Sequence, residues 1–214
     1  MKKSITNMVI FCGYFLLYQI AIVPFIWPSQ VHHGVTLKNQ IFLIIMGCIC
    51  LVVYGVILKS YFKKNDSKVV VNQWLQQHRI WVFTFLILIY IASVFISMKL
   101  SKLSANQARL NDIQMNAPWT AFISLGLAAP IFEELLFRKM FFGMFFKSLE
   151  KQSTLIMGVL LSSSLFALAH NPAFELTTIP YFLAGIILSL LYATTGKLRY
   201  SIIIHAINNI IGLI

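Results

Sequence analysis

Acidic side chains are nearly missing from this sequence. Only six of 214 residues are Asp or Glu, against seventeen Lys and Arg, which leaves a formal net charge of +11. Charge of either sign reaches only 11%, while apolar residues make up 59%. Soluble domains carry roughly 25% charged and about 45–50% apolar residues, so an ordinary soluble globular protein is excluded. Disorder needs low hydrophobicity, and a mean hydropathy of +0.82 excludes that too. Cysteine is also scarce. Cys12, Cys48 and Cys50 are odd in number and sit in apolar runs, which argues against a disulfide framework. No H-E-x-x-H, G-x-S-x-G, G-x-S-G, G-x-G-D or Walker motif occurs, so the common zinc, serine, aspartyl and nucleotide signatures are missing.

What is present is apolar and long. A membrane helix needs about 20 mostly apolar residues, and seven stretches qualify, near 8–27, 41–58, 80–98, 119–146, 154–171, 178–195 and 200–214. They are too long and too uniformly apolar for outer-membrane strands. The expected fold is therefore all-α, a polytopic transmembrane bundle of about seven spans in one integral membrane domain, 1–214. The apolar run after Lys2 and Lys3 lacks a clear small-residue cleavage site and is taken as a retained first helix. Basic residues punctuate the spans rather than cluster on a soluble face. The expected surroundings are thus the lipid bilayer of a cell membrane, with no nucleic-acid partner.

Charge also orients the bundle. With the amino terminus cytoplasmic, the inner segments hold Lys2, Lys3, Lys59, Lys63, Lys64, Lys68, Arg79, Arg138, Lys139, Lys147, Lys151, Lys197 and Arg199; the outer ones hold Lys38, Lys99, Lys102 and Arg109. That asymmetry is the positive-inside pattern. Two connections, 59–79 and 99–118, exceed tight turns. The first mixes Lys with Val69–Val71, Trp74 and Leu75, and reads as either an interfacial segment or a solvated basic loop. In the second, Pro118 suits the first turn of span four and Trp119 the interface.

The acids now sort themselves. Asp66, Asp112, Glu150 and Glu175 fall in loops or at helix ends, but Glu133 and Glu134 lie inside span four. An intramembrane carboxylate is costly and functional by default. Successive helical residues point about 100° apart, so the two glutamates should do different jobs. Glu134 and Arg138 share a face in acid-first order and are read as an internal ion pair, leaving Glu133 to face a cavity. His170 follows Phe166 at the far end of span five. If spans four and five fold antiparallel about residues 151–152, Glu133 and His170 meet at similar height. His205 and Asn209 share a face of the last span. Gly185 and Ser189 stand at the spacing used for close helix packing.

At these residues the chain resembles the CAAX-protease and bacteriocin-processing family of intramembrane endopeptidases, also called Abi. Its pattern E-E-x-x-x-R, F-x-x-x-H, H-x-x-x-N appears as Glu133-Glu134…Arg138, Phe166…His170 and His205…Asn209. The match covers about 119–214; Ser189 stands where Gly is common. Spans 1–118 carry no family motif and are taken as accessory. The resemblance implies a conical catalytic core formed by the last four spans and hydrolysis of a peptide bond in a peptide or protein at the membrane. By that analogy Glu133 is the general base, His170 orients or activates the water, and His205 and Asn209 stabilise the oxyanion. Glu134, Arg138 and Phe166 support them. No cofactor is favoured; the alternative is zinc held by Glu133, His170 and His205. The competing functions are a non-enzymatic bacteriocin-immunity factor or membrane scaffold of the same family and, last, a transporter or proton relay.

Overall fold

The computed structural model of the chain describes residues 2–31, 33–65, 68–100, 105–173 and 175–213. Asp66, Lys102 and Leu103, all read as loop positions, lie outside them. The described residues are helical throughout apart from short connections and one isolated bridge between Val70 and Ser148. The elements are α1 (Lys2–Ala21), α2 (Leu37–Lys64), α3 (Gln73–Gln77), α4 (Arg79–Leu100), α5 (Ala105–Asn116), α6 (Pro118–Phe145), α7 (Gln152–His170), α8 (Ile179–Thr195) and α9 (Leu198–Gly212).

Six helices are long and apolar enough to cross a bilayer: α1, α2, α4, α6, α7 and α8, the last with its preceding turn. The seventh expected span, α9, has 15 residues. At 1.5 Å per residue it extends about 23 Å, short of a hydrocarbon core of about 30 Å. The segment 99–118 is not the simple loop its polarity suggests. It contains α5, whose Ile113 is fully buried. Burial differs among the spans: half of the α6 window is buried, against 17% for α1 and α4. The flanks of α1, α2 and α4 are therefore apolar faces for lipid.

Proline shapes both ends of the sequence-rich region. Pro24 and Pro28 replace the end of the first apolar run with short helical turns, because proline cannot donate to a continuing helix. Pro130 sits inside α6. The backbone just before it adopts a π register over Phe122–Ala128, with the Ala129 N–H on the Ser124 carbonyl. A second π stretch spans Leu135–Met140. Such π turns inside α-helices recur at functional sites.

The fold divides into two compact units, each discontinuous in sequence: Met1–Asp66, Ala108–Leu136 and His205–Ile214 form the first, and Ser67–Gln107 and Phe137–Ile204 the second. In the first, the Tyr54 hydroxyl donates to the Tyr14 carbonyl at 3.1 Å, joining α2 to α1. The Phe25 ring lies where a side chain on Gly47 would be. In the second, α7 and α8 pack as small residues permit. A Cβ on Gly185 would stand 2.8 Å from the Ser163 Cα, and the Ser189 hydroxyl donates to that of Ser162 at 3.3 Å. The turn expected between spans four and five is found at 146–151.

Candidate active site

In the first unit, α6 delivers Glu133 and Glu134 at the end of its α-helical stretch Ala129–Glu134. Helix α9 delivers His205. All three are buried, Glu134 completely and Glu133 to 9% exposure. The His205 Nδ1 is 3.2 Å from Glu134 Oε1, and its Nε2 is 3.7 Å from Glu133 Oε2. The two carboxylates were expected to face different ways and do different jobs. They do diverge, but the two nitrogens of one imidazole lie on opposite sides of the ring, so both carboxylates reach the same histidine. Glu134 is within hydrogen-bond length of it; the Glu133 contact is longer than a hydrogen bond.

A fourth member was not legible as such. Tyr18 of α1, 2% exposed, donates its hydroxyl to Glu133 Oε1 at 3.1 Å. Its ring stacks near Phe132 with centroids 6.5 Å apart and 5.9 Å from Tyr54. The available signal was a phenol inside an apolar span, because a buried Tyr O–H usually finds a partner. Which carboxylate it finds is a matter of helix rotation.

Asn209, one turn beyond His205, donates Nδ2 to the Leu125 carbonyl at 2.8 Å. This bond has a local cause. In the π register the N–H of residue 130 would serve the carbonyl of residue 125, but Pro130 has none. The Asn209 amide supplies the missing donor.

The second unit holds the remaining predicted residues. Arg138 is fully buried, donates Nη2 to the Gly185 carbonyl at 3.2 Å, and lies 4.9 Å over the Phe166 ring. Ser162 donates to the Phe137 carbonyl at 2.8 Å. His170 ends α7, with Nδ1 2.8 Å from the Phe166 carbonyl and its ring stacked on Tyr181 at 5.1 Å. A carbonyl only accepts, so Nδ1 donates the proton in this bond.

Two buried carboxylates around one imidazole within apolar helices mark a functional site rather than a simple membrane anchor. The comparisons make that specific. Residues 115–211, a little under half the chain, match the family model described as type II CAAX prenyl endopeptidase Rce1-like. The chain is 28% identical over 193 residues to the membrane-embedded CAAX protease MroQ of Staphylococcus aureus (strain USA300), covering 85% of this chain and 76% of that protein. It is 26% identical over 189 residues to the UPF0177 protein YvdC of Lactococcus lactis subsp. lactis (strain IL1403), covering 86% and 68%. No solved structure matches. The resemblance to the CAAX-protease and bacteriocin-processing family therefore holds as a similarity over residues 115–211, and the apolar helices are those of a multi-pass membrane protein.

Proposed function

We propose that this protein is an intramembrane endopeptidase that hydrolyses a peptide bond in a membrane-associated or membrane-proximal peptide. The observation that carries this reading is the His205 imidazole set between Glu134 at hydrogen-bond length and Glu133 at 3.7 Å. Glu134 holds the ring by Nδ1, as a carboxylate holds the histidine of other hydrolytic sites. Glu133 takes a proton from water, and the oxygen attacks the scissile carbonyl carbon. The Nε2–H of His205 faces the oxyanion that forms, and the second Nδ2 hydrogen of Asn209 adds a donor. Collapse of the tetrahedral intermediate breaks the C–N bond, and Glu133 returns the proton to the leaving amine. Tyr18 fixes the Glu133 carboxylate by its other oxygen. For His170 the role is the one the family resemblance assigns it, orienting the water.

The donor set favours a metal-independent reaction. Nδ1 of His205 is held by Glu134 and Glu133 Oε1 accepts from Tyr18, so each residue already has one of its two possible zinc-ligand atoms engaged. A chelator should leave the rate of purified enzyme unchanged. The same reading keeps the amino terminus cytoplasmic, which cysteine labelling from each side of the membrane would test.

The decisive substitution is Glu133→Gln, which keeps the shape and removes the base. Cleavage by purified protein should fall by about 10³-fold while insertion is unaffected, and the same variant should retain substrate for identification by mass spectrometry. Full activity in Glu133→Gln would refute the assignment.

A further inference from the structure

Within the second unit a cleft of about 750 Å³ opens between α3, the start of α4 and the α8–α9 turn. Its walls include Gln73, Gln76, Gln77, Arg79, Thr194 and Lys197, with no acidic residue among the lining side chains. We propose that this cleft binds the phosphate headgroup of an anionic phospholipid.

Local structure builds the walls. Asn72 caps α3, its Oδ1 accepting the Leu75 N–H, while its Nδ2 donates to the carbonyls of Leu149 and Glu150. Leu75 is thereby turned inward and buried, and the glutamine amides face out. On the opposite wall Gly196 takes a left-handed φ of 65°, the usual end of a helix, and brings Lys197 back to the cleft. The hydroxyl of Thr194 lines the cleft, is 3% exposed, and has no hydrogen-bond partner among the described residues. Buried hydroxyls are normally satisfied; this one has its acceptor supplied when a phosphate oxygen enters. Two cations, three amides and that hydroxyl make a donor-rich site for one anion.

Depth selects a lipid over a soluble phosphate. The α4 span starts at Arg79 and the α8 span ends at Thr195, so the cleft lies where two helices leave the hydrocarbon, at headgroup level. Trp74 and Trp81 beside it are exposed, as interfacial indoles are. Phe83, one turn into α4, offers an apolar edge for the start of an acyl chain.

The test uses the full-length protein in neutral detergent, in the Glu133→Gln background, so that the outcome is independent of the proteolytic reading. Native mass spectrometry and lipid-induced thermal shift would compare phosphatidylglycerol, phosphatidylcholine, glycerol phosphate and inorganic phosphate. One phosphatidylglycerol should be retained per chain in preference to phosphatidylcholine. Arg79→Gln with Lys197→Gln, both at exposed positions, should weaken binding roughly 30-fold, taking about fivefold per basic residue at a membrane surface. The isosteric Thr194→Val should weaken it several-fold with the melting temperature unchanged in detergent alone. Equal retention of the two lipids, or unchanged binding in the double variant, overturns the proposal. Glycerol phosphate or inorganic phosphate binding as tightly as phosphatidylglycerol also overturns it, since the site would then serve a soluble anion.

Discussion

The two units treat buried charge in opposite ways. In the first, acidic groups face a titratable ring: Glu133 and Glu134 both reach His205, and a phenol from α1 completes the set. In the second, the fully buried Arg138 is met by a backbone carbonyl and an aromatic face. His170 there is likewise set between a carbonyl and a ring. A cluster that contains acid, base and proton donors can move a proton. A guanidinium on a carbonyl cannot, because arginine does not deprotonate in proteins. On the proposed reading, the first unit's burial serves proton transfer, while the Arg138 contacts with Gly185 and Phe166 join helices of the second unit.

The strongest way to break this contrast is to remove the histidines. His205→Ala should lower kcat by about 10²–10³-fold, as loss of an oxyanion donor does. His170→Ala should lower it by about 10²-fold if His170 has the water-orienting role proposed for it. Purified variants of matched secondary structure would be compared on one peptide. If His170→Ala leaves kcat unchanged, His170 belongs with Arg138 among the packing residues of the second unit.

Arg138→Met asks the converse. Methionine fills much of the volume but cannot donate to Gly185. The loss of a charge-assisted hydrogen bond is worth about 1.5–3 kcal/mol of stability, read as a lowered melting temperature. In the fraction that remains folded, kcat should stay within about threefold. A large fall in kcat at unchanged stability would move Arg138 from packing to chemistry.

Much of this was legible because it rests on periodicity and scarcity. Apolar runs located the six spans, and six acids in 214 residues drew attention to Glu133 and Glu134. The gathering of Glu133, Glu134 and His205 was less accessible. An ideal helix separates adjacent residues by about 100°, and nothing local says that one imidazole bridges that angle. The π stretches were not legible either. Pro130 marks an interruption, but whether the backbone kinks, breaks or widens depends on neighbours. Tyr18 lay in spans without a family motif, so only its burial reveals its role. The 59–79 connection stayed open between loop and interface because its order comes from Asn72 reaching Leu149 and Glu150, far away in sequence.

Tyr18→Phe sharpens the comparison at smaller amplitude. It removes one donor to a carboxylate and nothing else, since the ring and its contacts with Phe132 and Tyr54 remain. A Glu133 held by one fewer bond should be less well aimed, and kcat should fall about tenfold with KM little changed. Were α1 only an anchor, the variant would match wild type.

The finest distinction concerns Asn209, which has a structural bond to Leu125 and a proposed catalytic one. Asn209→Ala should reduce stability by about 1 kcal/mol, the value of one hydrogen bond, and also reduce activity. Pro130→Ala supplies a backbone N–H one position after Ala129, able to serve the Leu125 carbonyl itself. In the Pro130→Ala background, Asn209→Ala should therefore cost less stability than it does alone, a coupling measured by a double-mutant cycle. The activity loss should persist in that background, since no backbone donor replaces the oxyanion contact. If activity recovers together with stability, Asn209 serves only to close the gap that Pro130 leaves in α6.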